Sequence, residues 1–130
     1  MLFDLKVPLL GFESIEKMEL EKIDDIFMRL KTPDAEEASF TLIDPFILRD
    51  YAFDIPTATQ TLMDINDESN LLIFNIIVIQ NPIEDSVVNF AAPLVFNTDN
   101  NTMAQVILSN DPENLVAAPI SNFLPTKQDA

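Results

Sequence analysis

The chain has 130 residues, with 22 acidic against 7 basic side chains, a formal net charge of -15, and neither histidine nor cysteine. Sites that need those two residue types, such as zinc centres and most nucleophile–base pairs, are excluded, which argues against an enzyme. So negative a surface also repels phosphate backbones and anionic lipids, attracts basic proteins, and favours a monomer through self-repulsion. The length predicts one globular domain, residues 1–130.

Positive charge is confined to the first 49 residues and Lys127. From Asp50 to Thr126, both included, there is no lysine, arginine or histidine, but there are ten aspartates and glutamates. Because six of the seven basic residues precede Asp50, we expect no positive groove for direct nucleic-acid binding. The first residues, MLFDLKVPLL, lack the pattern of a signal peptide, and the longest apolar run, Leu71–Ile79, is too short to span a membrane. Both observations predict a cytoplasmic protein.

Short segments with alternating or continuous apolar residues predict an all-β chain. The predicted strands are, in chain order, Leu2–Val7, Ser39–Ile43, Leu71–Gln80, Ser86–Phe90, Leu94–Phe96 and Thr102–Leu108. Leu71–Gln80 is apolar on both alternations, which predicts a central strand covered on both faces. Arg49–Ile55 also alternates, through Tyr51 and Phe53. Pro56 suits the first position of a short helix that runs through Met63.

Two parts of the chain are harder to interpret. Pro8 and Gly11, the single glycine, bracket a turn after the first strand. The segment Ser14–Lys31 that follows fits either a helix with one apolar stripe or two strands joined at Asp24-Asp25, and its periodicity favours the helix. Residues 109–130 are predicted to form a C-terminal tail. The apolar residues expected to pack this tail are Ile120, Phe123 and Leu124.

Carboxylates are abundant, so acid–base catalysis and calcium binding are the reactive sites to consider. Asp44 and Asp50 flank a short segment, but nothing in their spacing distinguishes them from surface acids and turn formers. Oxygen-bearing side chains alternate at Asp64, Asn66, Glu68 and Asn70. A calcium loop at this place needs glycine and glutamate where the chain has Ser69 and Asn75. We therefore expect no catalytic residue, metal or cofactor; a calcium-dependent or carbohydrate-active β-domain is the alternative from a different functional class.

Asn75 interrupts the most apolar predicted strand. In a core it must find hydrogen-bond partners, and on a surface it helps to select a binding partner.

Five further segments, taken together, form a recognisable set of motifs. In chain order they are Gly11–Glu13, Phe40–Phe46, Asp50–Phe53, Val88–Asn97 and Gln105–Leu108. Their order and spacing resemble the bacterial flagellar assembly factor FliW family, and the sequence is most similar to the epsilonproteobacterial members. Many members have a tyrosine-containing ending after Leu108, which the stretch Ser109–Ala118 of this chain lacks.

The resemblance implies a small antiparallel β-barrel-like domain with one or two short helices, and therefore strands in Ser14–Lys31. It implies no enzymatic activity and no cofactor. It further implies a cytoplasmic partner-switching regulator that binds flagellin before export and binds the RNA-binding repressor CsrA, which relieves the repression of flagellin mRNA. The charge of -15 independently suits a basic partner such as CsrA. The alternative is an export chaperone for flagellin with no translational role.

Two groups of residues are the candidates for partner binding. The first group consists of polar and aromatic residues in the shared segments that a core does not require, namely Asp44, Pro45, Phe46, Asp50, Tyr51, Asn89 and Asn97. The second group consists of acidic loop residues expected to contact basic CsrA, namely Glu84, Asp85 and Asp99. For Asp44-Pro45 and Asn97, turn geometry is the competing interpretation.

Overall fold

The computed structural model describes residues 1–33, 39–48, 51–108 and 117–119. Its strands are β1 (Leu2–Val7), β2 (Lys17–Lys22), β3 (Phe27–Lys31), β4 (Ser39–Ile43), β5 (Leu71–Val78), β6 (Val87–Asn89), β7 (Leu94–Asn97), β8 (Thr102–Gln105) and β9 (Ala117–Pro119). One α-helix, α1 (Thr57–Met63), and two 3₁₀ turns, Pro45–Ile47 and Ile83–Asp85, complete the described structure.

Seven strands close into a barrel in the order β4-β3-β2-β1-β8-β7-β5, because β5 pairs again with β4. The pairings are antiparallel except that β1 and β8 run parallel. β5 pairs with β7 through Leu71–Phe74 and with β6 through Ile77 and Val78, so β6 and then β9 extend the sheet beyond the barrel. The predicted all-β, barrel-like fold is confirmed, although the parallel pair was not foreseen.

Each barrel strand directs alternate side chains into the interior, as the period of two in a strand requires. The interior residues from the strands are Phe3, Leu5, Met18, Leu20, Met28, Leu30, Phe40, Leu42, Phe74, Ile76, Leu94, Phe96 and Met103. Leu9 and Ile15, from the loop after β1, join the same core. Gly11 in this loop has a φ of 90°, which favours glycine and confirms the predicted turn.

The helical interpretation of Ser14–Lys31 is wrong, and the two-strand interpretation is right. β2 and β3 form a hairpin in which Leu20 lies opposite Leu30. Asp24 closes the turn, because its carboxylate accepts hydrogen bonds from the backbone N–H groups of Ile26 and Phe27, both at 2.8 Å. Only the strand period places the long apolar side chains of this segment on the barrel interior.

A second layer covers the outside of β5, β7 and β8. α1 follows Pro56, as predicted, and its last residue, Met63, is buried in a cluster with Val95, Ala104 and Val106. Residues 51–55 join no strand but pack onto this layer through Phe53 and Ile55. The prediction that β5 is covered on both faces holds for its middle, since Phe74 and Ile76 face the barrel interior while Ile73 and Ile77 pack against the outer clusters.

The remaining predicted strands are confirmed as β6, β7 and β8: β6 and β8 are shorter than predicted, and β7 extends one residue further, to Asn97. The predicted tail residues Ile120, Phe123 and Leu124 lie outside the described residues, while β9 within residues 109–130 pairs with β6. In the described ranges, no helix has the length and apolar character that crossing a bilayer requires. The same ranges contain no group of three or more acidic side chains arranged to hold a metal ion.

Candidate partner-binding site

The 3₁₀ turn after β4 presents two apolar side chains to solvent. The Asp44 side chain accepts a hydrogen bond from the backbone N–H of Phe46 at 2.9 Å, and Pro45, at the first position of the turn, is buried. Asp and Pro suit these positions because one satisfies a free N–H and the other has a preset φ. The turn geometry expected for Asp44-Pro45 is therefore present, and its result is that Phe46 and Ile47 are more than half exposed.

Tyr51 fixes the segment that follows. Its hydroxyl donates a hydrogen bond to the backbone carbonyl of Phe90 at 2.6 Å, and its ring is buried. The ring centroid lies 6.0 Å from that of Phe46, 5.5 Å from that of Phe53 and 5.6 Å from that of Phe90. Such tilted and edge-to-face contacts are favourable for aromatic pairs. Tyr51 is thus an anchor that joins the 3₁₀ turn to the loop after β6.

Asn75 supports this anchor from the outward face of β5. Its amide nitrogen donates hydrogen bonds to the Tyr51 hydroxyl at 3.2 Å and to the backbone carbonyl of Asn89 at 2.8 Å. The side chain is 0% exposed, which agrees with the core interpretation of this residue. Its amide oxygen accepts no hydrogen bond from any described residue. An unpaired buried acceptor costs about 1–3 kcal/mol, which opposes the stabilisation from the two hydrogen bonds that the amide nitrogen donates.

An apolar hollow of about 210 Å³ lies beside Tyr51. Its lining residues are Phe46, Tyr51, Ala52, Phe53, Ile55 and Ile73. None of these side chains is charged, and Phe46 at its edge is half exposed. The hollow is open to solvent and has the size and polarity to accept an apolar side chain from another molecule.

The other candidate residues lie in two other parts of the structure, the turn between β7 and β8 and the region of β6 with the turn before it. Asn97 and Asp99 belong to the turn between β7 and β8, where Asn97 bonds the carbonyl of Met63 at 3.1 Å and Asp99 bonds the side chain of Asn70 at 2.8 Å. Hydrogen bonds from the side chain and backbone of Asn70 lower the pKa of Asp99 below its ordinary value. Asn97 is buried, so these contacts favour the structural interpretation for this residue.

Glu84 and Asp85 lie in the turn between β5 and β6, and both are exposed. Asn89 lies at the end of β6, where its side-chain oxygen accepts the backbone N–H of Ala91 at 3.0 Å and its carbonyl bonds Asn75. The structure thus brings Asp44, Pro45, Phe46, Tyr51 and Asn89 into one connected region. Asp50 lies outside the described residues.

Four residues that line the hollow were not among the sequence candidates, namely Ala52, Phe53, Ile55 and Ile73. The alternation of Tyr51, Phe53 and Ile55 indicated that they share a face, but it did not indicate that the face borders a hollow. Ile73 lies on a strand distant in sequence, and only the folded chain places it beside them.

Charge is unevenly distributed along the chain. The strands β1, β2 and β3 have five basic against three acidic side chains. Residues 51–108 have seven acidic side chains and no basic one. The hollow and the Glu84-Asp85 turn are built mainly by this second part of the chain, so both lie where negative potential is not offset by basic residues of the same segment.

Comparison with known proteins assigns this arrangement to a family. The FliW protein family model matches residues 1–120. The chain is 55% identical over 124 residues to the flagellar assembly factor FliW of Sulfurimonas denitrificans, a match that covers 95% of this chain and 98% of that protein. It is 50% identical over 123 residues to flagellar assembly factor FliW 2 of Wolinella succinogenes, covering 93% of this chain and 90% of that protein.

The fold has a solved counterpart. A crystal structure of the flagellar assembly factor FliW matches with a TM-score of 0.86 and 24% identity, over 97% of this chain and 87% of that one. At this identity the likeness concerns the fold. The two sequence relatives are from epsilonproteobacteria, the branch to which the shared segments pointed.

Proposed function

This chain belongs to the FliW family of flagellar assembly factors, and we propose that it is a non-enzymatic, cytoplasmic regulator that alternates between two protein partners. One partner is flagellin awaiting export. The other is the basic RNA-binding repressor CsrA, which cannot repress flagellin mRNA while it is held. The observation that carries the proposal is that an acidic turn and five of the six residues lining an apolar hollow belong to residues 51–108, which have no basic side chain.

The hollow beside Tyr51 is the proposed contact for flagellin. Flagellin that has not polymerised is expected, from the family resemblance, to have disordered apolar ends. Such a segment can insert an apolar side chain into a preformed hollow. Because the hollow exists before binding, only the flagellin segment loses conformational entropy. Phe46 at the edge of the hollow is exposed before binding and would become buried.

The Glu84-Asp85 turn is the proposed contact for CsrA. Both side chains are exposed, and no cation from residues 51–108 competes for them. Complementary charge raises association rates toward about 10⁸ M⁻¹s⁻¹ at low salt and loses this effect as salt screens it. The negative field of this segment therefore attracts a basic protein before specific contacts form.

The regulation needs only negative coupling between the two binding events. Unsecreted flagellin occupies the protein and leaves CsrA free to repress translation. Export removes flagellin, and the free protein then binds CsrA. The sequence relatives are named for flagellar assembly, which is consistent with either this switch or the export chaperone without a translational role.

Size-exclusion chromatography with light scattering distinguishes the two functions. The purified protein is mixed separately with monomeric flagellin and with CsrA at physiological salt. The switch predicts a complex in each mixture, whereas the chaperone alternative predicts a complex with flagellin only. If neither mixture yields a complex at micromolar concentrations, both functions are wrong.

A further inference from the structure

The turn between β5 and β6 exposes apolar side chains beside its two acids. Ile79 and Ile83 are 45% and 47% exposed, and Glu84 and Asp85 directly follow Ile83 in the same turn. We name these four residues the hairpin patch. Acidic residues alone are usual on a surface, but two exposed branched apolar side chains in the same turn are not needed for solubility or for the turn.

The patch is held in place by hydrogen bonds within its own turn. The backbone N–H of Asp85 bonds the carbonyl of Pro82 at 3.1 Å, and that of Ser86 bonds the carbonyl of Ile83 at 2.9 Å. The buried Ser86 hydroxyl accepts the backbone N–H of Gln80 at 2.8 Å. These three hydrogen bonds hold the backbone of the turn, which lowers the entropic cost of ordering it on binding.

Charge restricts what can cover this patch. A second copy of the chain would bring two acidic turns together in a symmetric contact, on molecules that each have a net charge of -15. Nucleic acid and anionic membranes are repelled by the same acids. A polypeptide segment with apolar side chains flanked by lysine or arginine satisfies both halves of the patch.

We propose that the hairpin patch docks a short amphipathic, basic segment of a partner protein. This inference rests on the proposed function for the basic character of the partner, and it adds an apolar component to the contact. Glu84 and Asp85 attract the segment, and burial of Ile79 and Ile83 supplies the part of the affinity that salt does not screen. Affinity at the patch therefore falls with salt to a plateau instead of to zero.

A labelled synthetic peptide of alternating leucine and lysine is the probe, and fluorescence anisotropy with the full chain is the measurement. A serine–lysine peptide of the same length and charge is the matched probe without apolar side chains. We expect the leucine–lysine peptide to bind about tenfold more tightly than the serine–lysine peptide, and we expect Ile83→Ser to remove most of that difference.

Two variants control for non-specific attraction. Ile26→Ser alters an isoleucine that is 49% exposed in the β2–β3 turn, close to the 47% of Ile83. Asp67→Lys with Glu68→Lys makes the same change in net charge as Glu84→Lys with Asp85→Lys, also in an exposed turn of the segment without cations. We expect only the variants at the hairpin patch to weaken the leucine–lysine peptide, by about fivefold or more.

Equal weakening by the control variants, or equal affinity for the two peptides, would overturn the inference. Thermal melting of each variant verifies that it is folded. If the protein forms complexes with flagellin and CsrA but does not bind the leucine–lysine peptide, the inference about the hairpin patch is wrong and the proposed function is unaffected. A protein that binds the peptide at the patch but neither partner contradicts the proposed function instead.

Discussion

The outer face of β1–β3 and the segment 51–108 differ in whether their acidic side chains are accompanied by basic ones. On β1–β3, basic and acidic side chains alternate and pair, as in the ion pairs Lys17–Asp4 and Lys31–Glu21. In segment 51–108, acids have no basic neighbour from the same segment, and exposed apolar residues such as Ile83 lie among them. The first region pairs part of its charge internally, while the second has acidic charge and exposed apolar area available for a partner.

This difference indicates that residues 51–108, more than β1–β3, are suited to bind a partner protein. Paired surface charges contribute little to stability and offer a partner little net attraction, because each is already partly neutralised. An uncompensated acidic surface costs self-repulsion in the folded state. Its presence on residues 51–108, which also build most of the Tyr51 hollow, is explained if a basic protein and an apolar segment bind this part of the chain, and the following substitutions test that contrast.

The largest expected effect is on stability, at the anchor of the hollow. Tyr51→Ala removes a buried ring that contacts Phe46, Phe53 and Phe90, and it is expected to lower the free energy of unfolding by about 3–5 kcal/mol. Tyr51→Phe retains the ring and loses the hydroxyl, so we expect a loss of about 1–2 kcal/mol. Urea denaturation measures both, and equal losses would show that the ring contacts are unimportant.

The next effect is on flagellin binding at the edge of the hollow. Phe46→Ala removes an exposed ring, so the variant should fold normally but bind flagellin about thirtyfold more weakly, as at an interface hot spot. Ile26→Ala, at a similarly exposed apolar residue near β2 and β3, is the control. Calorimetric titration that gave unchanged affinity for Phe46→Ala would remove the hollow from the flagellin contact.

A smaller effect is expected for CsrA. Glu84→Lys with Asp85→Lys should weaken CsrA binding about tenfold at low salt, and the loss should shrink as salt screens the charges. Lysine substitution of Asp67 and Glu68 changes net charge equally and should weaken CsrA less. The same loss at both turns would mean that the field of the whole segment, and not the Glu84-Asp85 turn, attracts CsrA.

The smallest effect concerns pH. Because hydrogen bonds from Asn70 lower the pKa of Asp99 in the folded state below its ordinary value of 3.8, Asp99 stabilises the fold above that value. This contribution is lost as pH falls through the lowered pKa. Asp99→Asn should therefore show a flatter loss of thermal stability below about pH 5 than Asp67→Asn, which also removes one exposed carboxylate. Identical pH profiles would show that the Asn70 contact has no effect on stability.

Much of this fold was predictable because its strands alternate regularly. Phe3 and Leu5, or Phe40 and Leu42, occur at the spacing of two that a barrel interior requires, and Pro56 marked the start of α1. The segment Ser14–Lys31 was not predictable by period, since its apolar residues fit both a helical stripe and two strands. The parallel pairing of β1 with β8 has no local signal, because it joins strands almost a hundred residues apart.

The candidate site was predictable only in part. Asp44, Phe46 and Tyr51 were identified because they belong to motifs that resemble the FliW family. The excess of acidic residues in segment 51–108 can be counted directly from the sequence. The hollow was not predictable, since it requires Ile73 of β5 to meet Phe53 and Ile55 in space. The hydrogen bonds of Asn97 to Met63 likewise connect residues that are distant in sequence.

The central claim, that two partners compete for this protein, is tested most directly by titrating flagellin into its complex with labelled CsrA and following the anisotropy of the label. Competition predicts that CsrA is released as flagellin binds, with a midpoint that rises with the CsrA concentration. A stable complex of all three proteins, in which flagellin leaves the affinity for CsrA unchanged, would contradict the account.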